Sequence, residues 1–176
     1  MKKNISSRLE AAINDQINAE LWSAYLYLSM SMDAEAKGYK GVANWFFVQW
    51  KEEQDHAQIL MNYLNSRDAK VVLKPIAEVR TEWESVQEMF RETLRHEKVV
   101  TSLINNLAAI AHDDRDFASS NMLVWFIDEQ IEEEENARDM IFASEAVEGD
   151  KYGMYQLDKE LAARVYTQAS PLATAE

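Results

Sequence analysis

Four segments of this chain carry an apolar stripe at helical spacing, and each stripe is broken near its middle by glutamate. The first runs Leu9, Ile13, Ile17, Glu20, Ala24, Tyr27, and the second Val42, Phe46, Gln49, Glu53, His56, Leu60, Tyr63. The third runs Val86, Phe90, Thr93, Glu97, Val100, Ile104, Leu107, and the fourth Leu123, Phe126, Gln130, Glu133, Ala137, Met140. Residues three or four apart share one face of a helix, so the stripes mark four amphipathic helices. Taken singly, an interruption is explained by a shifted register or by a carboxylate bent back to water. Four at one height require more, because a buried unpaired carboxylate costs several kcal/mol and four together repel one another until some take up protons.

Two divalent cations would neutralise four carboxylates. Oxygen donors with one imidazole and no sulfur suit Fe, Mn or Zn better than Mg or Ca. Glu53 and His56, at i and i+3, share a face at the spacing that lets one helix grip a single ion. E-x-x-H arises often by chance, and its weight here comes from the other three helices.

The helices follow from composition and punctuation. Only four glycines and two prolines occur in 176 residues, so residues that end helices are scarce and an all-α chain is expected. One domain spanning 1–176 accommodates that length. Ser6 or Ser7 can cap a first helix running to about residue 37, and Gly38 and Gly41 mark a short turn. Further helices are expected over about 42–67, 83–112 and 116–146, giving a bundle over about 6–146 joined at its far end by the polar HDDRD at 112–116. The connection SRDAKVVLKPIAEVRTEWE, 66–84, can reach about 60 Å when extended, beyond the roughly 39 Å of the second helix. It can therefore return the chain in parallel, as a four-helix bundle with one long crossover. A short fifth helix is expected over about 154–166 with Leu157, Leu161 and Val165 on one side, and the terminal SPLATAE is expected to fray.

A formal net charge of −13 disfavours nucleic acid and anionic membrane surfaces and attracts cations. Lys2 and Lys3 precede no apolar leader segment, and no run is long and uncharged enough to span a membrane. With no cysteine to form disulfides, a cytoplasmic location is expected.

The segments NAELWSAYLY (18–27), KEEQDHAQILMNYL (51–64), ETLRHEK (92–98) and DEQIEEEE (128–135) resemble, in order and spacing, the four motif segments of bacterial non-haem ferritins. That resemblance implies a ferritin-like bundle in a homo-oligomeric hollow shell of 24 copies, which oxidises Fe(II) with O₂ or H₂O₂ at a dinuclear ferroxidase centre and stores the ferric oxyhydroxide product. Residue by residue, it implies Glu20, Glu53 and His56 on a first iron and Glu97 and Glu133 on a second, with Glu53 bridging and Gln130 beside them. It further implies a third iron site of Glu52, Glu129 and Glu132 with a share of Glu133, although adjacent glutamates equally describe a solvated face. Tyr27 matches a tyrosine beside the diiron pair that could hydrogen-bond a ligand or lend an electron; a core tyrosine is the alternative.

Trp125 reads as packing, Glu134 and Glu135 as solvated, and His96 and His112 as ordinary surface or helix-end histidines. Bacterioferritins and rubrerythrin-like diiron proteins carry a second E-x-x-H, whereas Glu133 is followed at i+3 by Asn136, which favours iron transit over a permanent diiron cofactor in a peroxidase or oxygenase. The second helix has no methionine before Met61, so haem is not expected. Trp22, Tyr25, Leu26 and Ser29 form a strip away from Glu20 that contact with another subunit would cover. The fifth helix, by resemblance, gathers around four-fold axes, and Asp113, Asp114 and Asp116 are candidates for leading iron in.

Overall fold

The computed structural model describes residues 4–173 and contains, among them, five helices and no strand. Lys2, Lys3 and the last three residues of the tail lie outside the described residues. α1 (Ser7–Ala36) and α2 (Lys40–Ser66) form one antiparallel hairpin, α3 (Val86–Asp113) and α4 (Phe117–Ala146) a second, and α5 (Lys151–Leu161) follows. Tyr27 meets Glu97 and Met30 meets Thr93, so α3 runs antiparallel to α1 and the crossover returns the chain parallel to α2. The result is a four-helix bundle with one long crossover and a short C-terminal helix.

Side-chain oxygens close the helix starts, as orphan N–H groups require. Ser6 accepts from Leu9 N, Ser85 from Glu88 N, Asp116 from Ser119 N and Asp150 from Tyr152 N. Tyr39, which precedes α2, has no such bond, and Asp158 of α5 accepts from Val42 N instead at 2.9 Å. Gly38 turns the first hairpin at φ +87°. Gly41 does not belong to that turn: it lies inside α2, and a Cβ there would sit 1.5 Å from the Asp158 carbonyl oxygen. It is what allows α5 to approach.

Two boundaries differ from expectation. α3 starts at Val86 rather than near 83, because Trp83 ends the extended segment buried in the core and Ser85 supplies the cap. α5 starts at Lys151, includes Gly153 and stops at Leu161; Leu157 and Leu161 are buried, while Val165 lies beyond the helix and is exposed. Within the tail expected to fray, Leu172 packs against the core.

A ladder of α1 side chains holds the crossover. Asn14 donates to Lys70 O at 2.9 Å and accepts from Val72 N at 2.6 Å, and Asn18 donates to Pro75 O at 3.2 Å. Ser29 then donates to Arg80 O at 2.7 Å, and Asp33 accepts from Trp83 N at 3.1 Å. Four residues of α1, rising about 6 Å, advance the crossover by three residues, from 72 to 75 and from 80 to 83, so the segment runs beside α1 in less than fully extended form. The strip expected to face another subunit is largely covered by this segment: Leu26 is core and Trp22 half-buried, leaving Tyr25 exposed.

The core has two apolar halves. One contains Tyr27, Phe46, Phe90 and Trp45, the other Leu9, Ile13, Leu60, Ile104 and Phe126. Between them lies a buried polar layer of Glu20, Gln49, Glu53, His56, Glu97, Gln130 and Glu133. Each large apolar side chain contributes about 1.5–3 kcal/mol on burial, so the two halves can hold this unfavourable layer closed.

Candidate metal centre

The α1–α2 hairpin alone assembles a complete donor trio. Glu20, Glu53 and His56, all buried, present one ligand atom each within 4.8 Å of one another. His56 Nδ1 lies 3.3 Å from Glu53 Oε2 and 3.9 Å from Glu20 Oε2. Gln16, one turn before Glu20, donates to Glu20 Oε1 at 2.8 Å. Glu20 Oε2 has no hydrogen-bond partner and is, among the described residues, the one buried side-chain N or O atom so left. A carboxylate oxygen buried without a donor is costly, and a cation between the trio's three donor atoms would satisfy it.

The second hairpin closes the layer from the opposite side. Glu97 accepts from the Tyr27 hydroxyl and from Gln130 Nε2 at 3.2 Å, while Glu133 Oε2 accepts from Gln49 Nε2 at 2.9 Å. A second cluster joins His56, Glu129 and Glu133, with His56 Nε2 3.8 Å from Glu129 Oε1. One imidazole thus faces carboxylates on both sides.

Electrostatics record the crowding. Burial, and then the Glu133 charge, push the Glu97 carboxyl up to about 8. Burial also raises Glu53 and Glu133, although His56 opposes the rise in both. For His56 burial works downward, but Glu53, Glu129 and Glu20 outweigh it and hold its pKa well above the ordinary value. The Tyr27 hydroxyl is raised by burial and by Glu97, so it stays protonated and donates. Without a cation the layer retains protons; with one, those protons have reason to leave.

The third group of residues is not gathered as expected. Glu129 sits with His56 and Glu133, whereas Glu132 is exposed and belongs to neither cluster. Glu52 Oε2 accepts from Arg164 Nη2 at 2.7 Å, and burial raises its pKa to about 7 despite that pairing. Arg164 also donates to Gln49 Oε1 at 2.5 Å, which turns the Gln49 amide so that its NH₂ faces Glu133. Arg164 and Gln16 were not anticipated. Gln16 could have been found at i−4 from Glu20, but Arg164 lies on no helix and no periodicity points to it.

His96 is not a surface residue. Its Nε2 is 2.7 Å from Ser23 Oγ and its ring lies 6.0 Å from that of Tyr27, and burial lowers its pKa to about 4, leaving it neutral. Glu134 is engaged rather than solvated, accepting from Thr101 Oγ1 at 2.8 Å. Trp125 meets His56 edge-on at 5.5 Å, and His112 is exposed. Of the acidic turn, Asp114 pairs with Arg8 at 2.7 Å, Asp116 caps α4 and pairs with Arg67 at 3.0 Å, and Asp113 lies 3.9 Å from Arg8, so each of the three already faces an arginine.

A family model described as a ferritin-like domain matches residues 10–143. The chain is 35% identical over 164 residues to the bacterial non-heme ferritin of Staphylococcus aureus, a match covering 93% of this chain and 99% of that one. Among solved structures, it is similar to one described as a novel open pore ferritin from the hyperthermophilic archaeon Archaeoglobus fulgidus. There the TM-score is 0.91 and the identity 40%, over 92% of this chain and 99% of the other. A closed form of Archaeoglobus fulgidus ferritin engineered by site-directed mutagenesis matches equally well, with TM-score 0.91 and 40% identity over 93% and 99%.

Proposed function

The chain belongs to the ferritin family, and from that premise we propose that it oxidises Fe(II) at the buried polar layer and stores the ferric product in a shell of 24 copies. The observation that carries this reading is the unpartnered Glu20 Oε2 beside Glu53 and His56.

In this reading iron is substrate and cargo. Glu20, Glu53 and His56 take one Fe(II); Glu97 and Glu133 take a second, with Glu53 shared and Gln130 alongside. Binding releases protons from the elevated carboxyls, and Tyr27 keeps Glu97 aimed through its hydroxyl. Two Fe(II) losing one electron each reduce one O₂, with two protons, to H₂O₂; four Fe(II) reduce one O₂, with four protons, to two waters; and H₂O₂ itself serves as oxidant for two Fe(II). Hydrolysis of Fe(III) then delivers oxyhydroxide and protons. The second iron has no imidazole donor, so its weak oxygen ligands let the product leave. In this reading the chain works as a single domain in the cytoplasm, without haem, nucleic acid or membrane. No helix among the described residues is long and apolar enough to span a bilayer. Exposed apolar side chains, among them Tyr25, Leu73, Phe117 and Phe142, support burial against other copies.

The test adds Fe(II) in air to metal-free protein and follows the near-ultraviolet absorbance of ferric products, with particle mass from light scattering. Rapid oxidation that a Glu53→Ala, His56→Ala variant loses, with uptake far beyond two iron ions per chain, is expected. Uptake stopping at two would refute storage and make the iron a fixed cofactor.

A further inference from the structure

After α5 the chain turns back along α2. Asn44 donates to Leu161 O and Arg164 O, the Tyr166 hydroxyl donates to Asp55 Oδ2 at 2.7 Å, and Ala169 N donates to the same oxygen at 2.9 Å. At the centre of this strap the Arg164 guanidinium lies over Trp45, 4.6 Å from the ring centroid. It donates to Trp45 O at 3.1 Å, to Gln49 Oε1 and to Glu52 Oε2. Arg164 lies beyond the 10–143 segment that the family model matches.

We propose that Arg164 is a built-in counter-cation for Glu52, so that the C-terminal strap competes with metal ions for this carboxylate. This rests on the reading above, in which the layer and its neighbouring glutamates bind iron. Glu52 shares the guanidinium with Gln49, whose amide reaches Glu133 of the second cluster, and its Oε2 is turned to Arg164. Both partners are about one-fifth exposed, at 22% and 23%, so the pair is neither locked in the core nor fully screened by water. A planar guanidinium held by three acceptors is pre-organised and gives up its carboxylate only to a competing cation. A metal ion that takes Glu52 Oε2 together with Glu129 competes with Arg164 for that oxygen, and the strap sets the threshold at which a site beyond the ferroxidase pair fills.

Metal binding to the assembled protein tests this directly. Zn(II) calorimetry reads the tight class of sites, and tryptophan-sensitised Tb(III) luminescence reads the weaker class, in the native chain, in Arg164→Gln and in Arg164→Gln combined with Glu52→Gln. Removing the guanidinium should tighten the weaker Tb(III) class about tenfold, the scale of one charge-assisted hydrogen bond, and the double variant should lose that gain. Arg164→Lys, which keeps the charge but cannot grip Gln49 and Glu52 together, should tighten it by less and serves if the glutamine variant does not assemble. Weak-class affinity unchanged or lowered in both single variants overturns the proposal. Absence of a tight Zn(II) class in the native chain counts against the ferroxidase reading instead, and leaves the Arg164 comparison to be decided by Tb(III).

Discussion

Replacing Glu97 with glutamine should stabilise the metal-free protein at neutral pH. Glu97 is 1% exposed, and burial together with Glu133 raises its carboxyl from 4.5 to about 8. An acid raised in the folded state contributes stability that is fully present below its unfolded pKa and is lost as pH climbs through the folded one. The window here runs from about 4.5 to about 8. Each unit corresponds to about 1.4 kcal/mol, so the penalty carried at pH 7 is roughly 3 kcal/mol. Glutamine removes it while keeping an acceptor for Tyr27. Its NH₂, however, meets that of Gln130 unless one amide turns, a cost of about 1 kcal/mol. The remaining gain of about 2 kcal/mol corresponds to a rise in Tm of roughly 4–8 °C for a chain of this length. Scanning calorimetry on chelator-treated protein across the pH window should show native Tm falling and the variant falling less steeply, since the raised carboxyls of Glu52, Glu53 and Glu133 remain. Saturating Zn(II) should reverse the order, because the variant lacks a ligand. A native Tm that stays level or rises across the window, or a variant less stable than native at its alkaline end, would refute the electrostatic argument.

Three further outcomes follow from named contacts. Asn14→Ala leaves the Lys70 carbonyl and the Val72 amide without partners and should cost roughly 2–3 kcal/mol in urea unfolding, with faster hydrogen exchange confined at first to the crossover. Gly41→Ala forces a methyl group into the Asp158 carbonyl and should undock α5, seen as rapid proteolysis after residue 150 with the four-helix bundle intact. Zn(II) should inhibit iron oxidation by occupying Glu20, Glu53 and His56; undiminished rates at saturating Zn(II) would remove this trio from the reaction.

The bundle was legible because its stripes, caps and turns agree at every level. Glu20, Glu53 and His56 stood out because they interrupt two of four apolar stripes at one height, and one hairpin with a short turn sets them side by side; the E-x-x-H spacing by itself carried little weight. What the spacing did not reveal depends on segments without periodicity. Trp83 continues the pattern of α3 but is claimed by the core through an extended backbone, so the helix starts later than its residues suggest. Leu26 reads as part of an exposed strip until the crossover is laid on it, and that placement depends on small polar side chains such as Asn14 and Ser29 that carry no hydrophobic signal. Glu52 and Glu132 look alike in sequence, yet one is claimed by an arginine more than 100 positions away.

The ladder along α1 also bears on how this family member can change over time. Connections between helices ordinarily tolerate added or missing residues, because loop closure depends weakly on length. Here the connection has a register. One residue inserted between Val72 and Arg80 would carry every later carbonyl past its donor on α1 and deliver Trp83 out of phase with Asp33 and the core. Sequence drift in this stretch is therefore free to change side chains but not chain length, and among relatives an insertion or deletion should occur here only together with a matching shift of the rungs on α1.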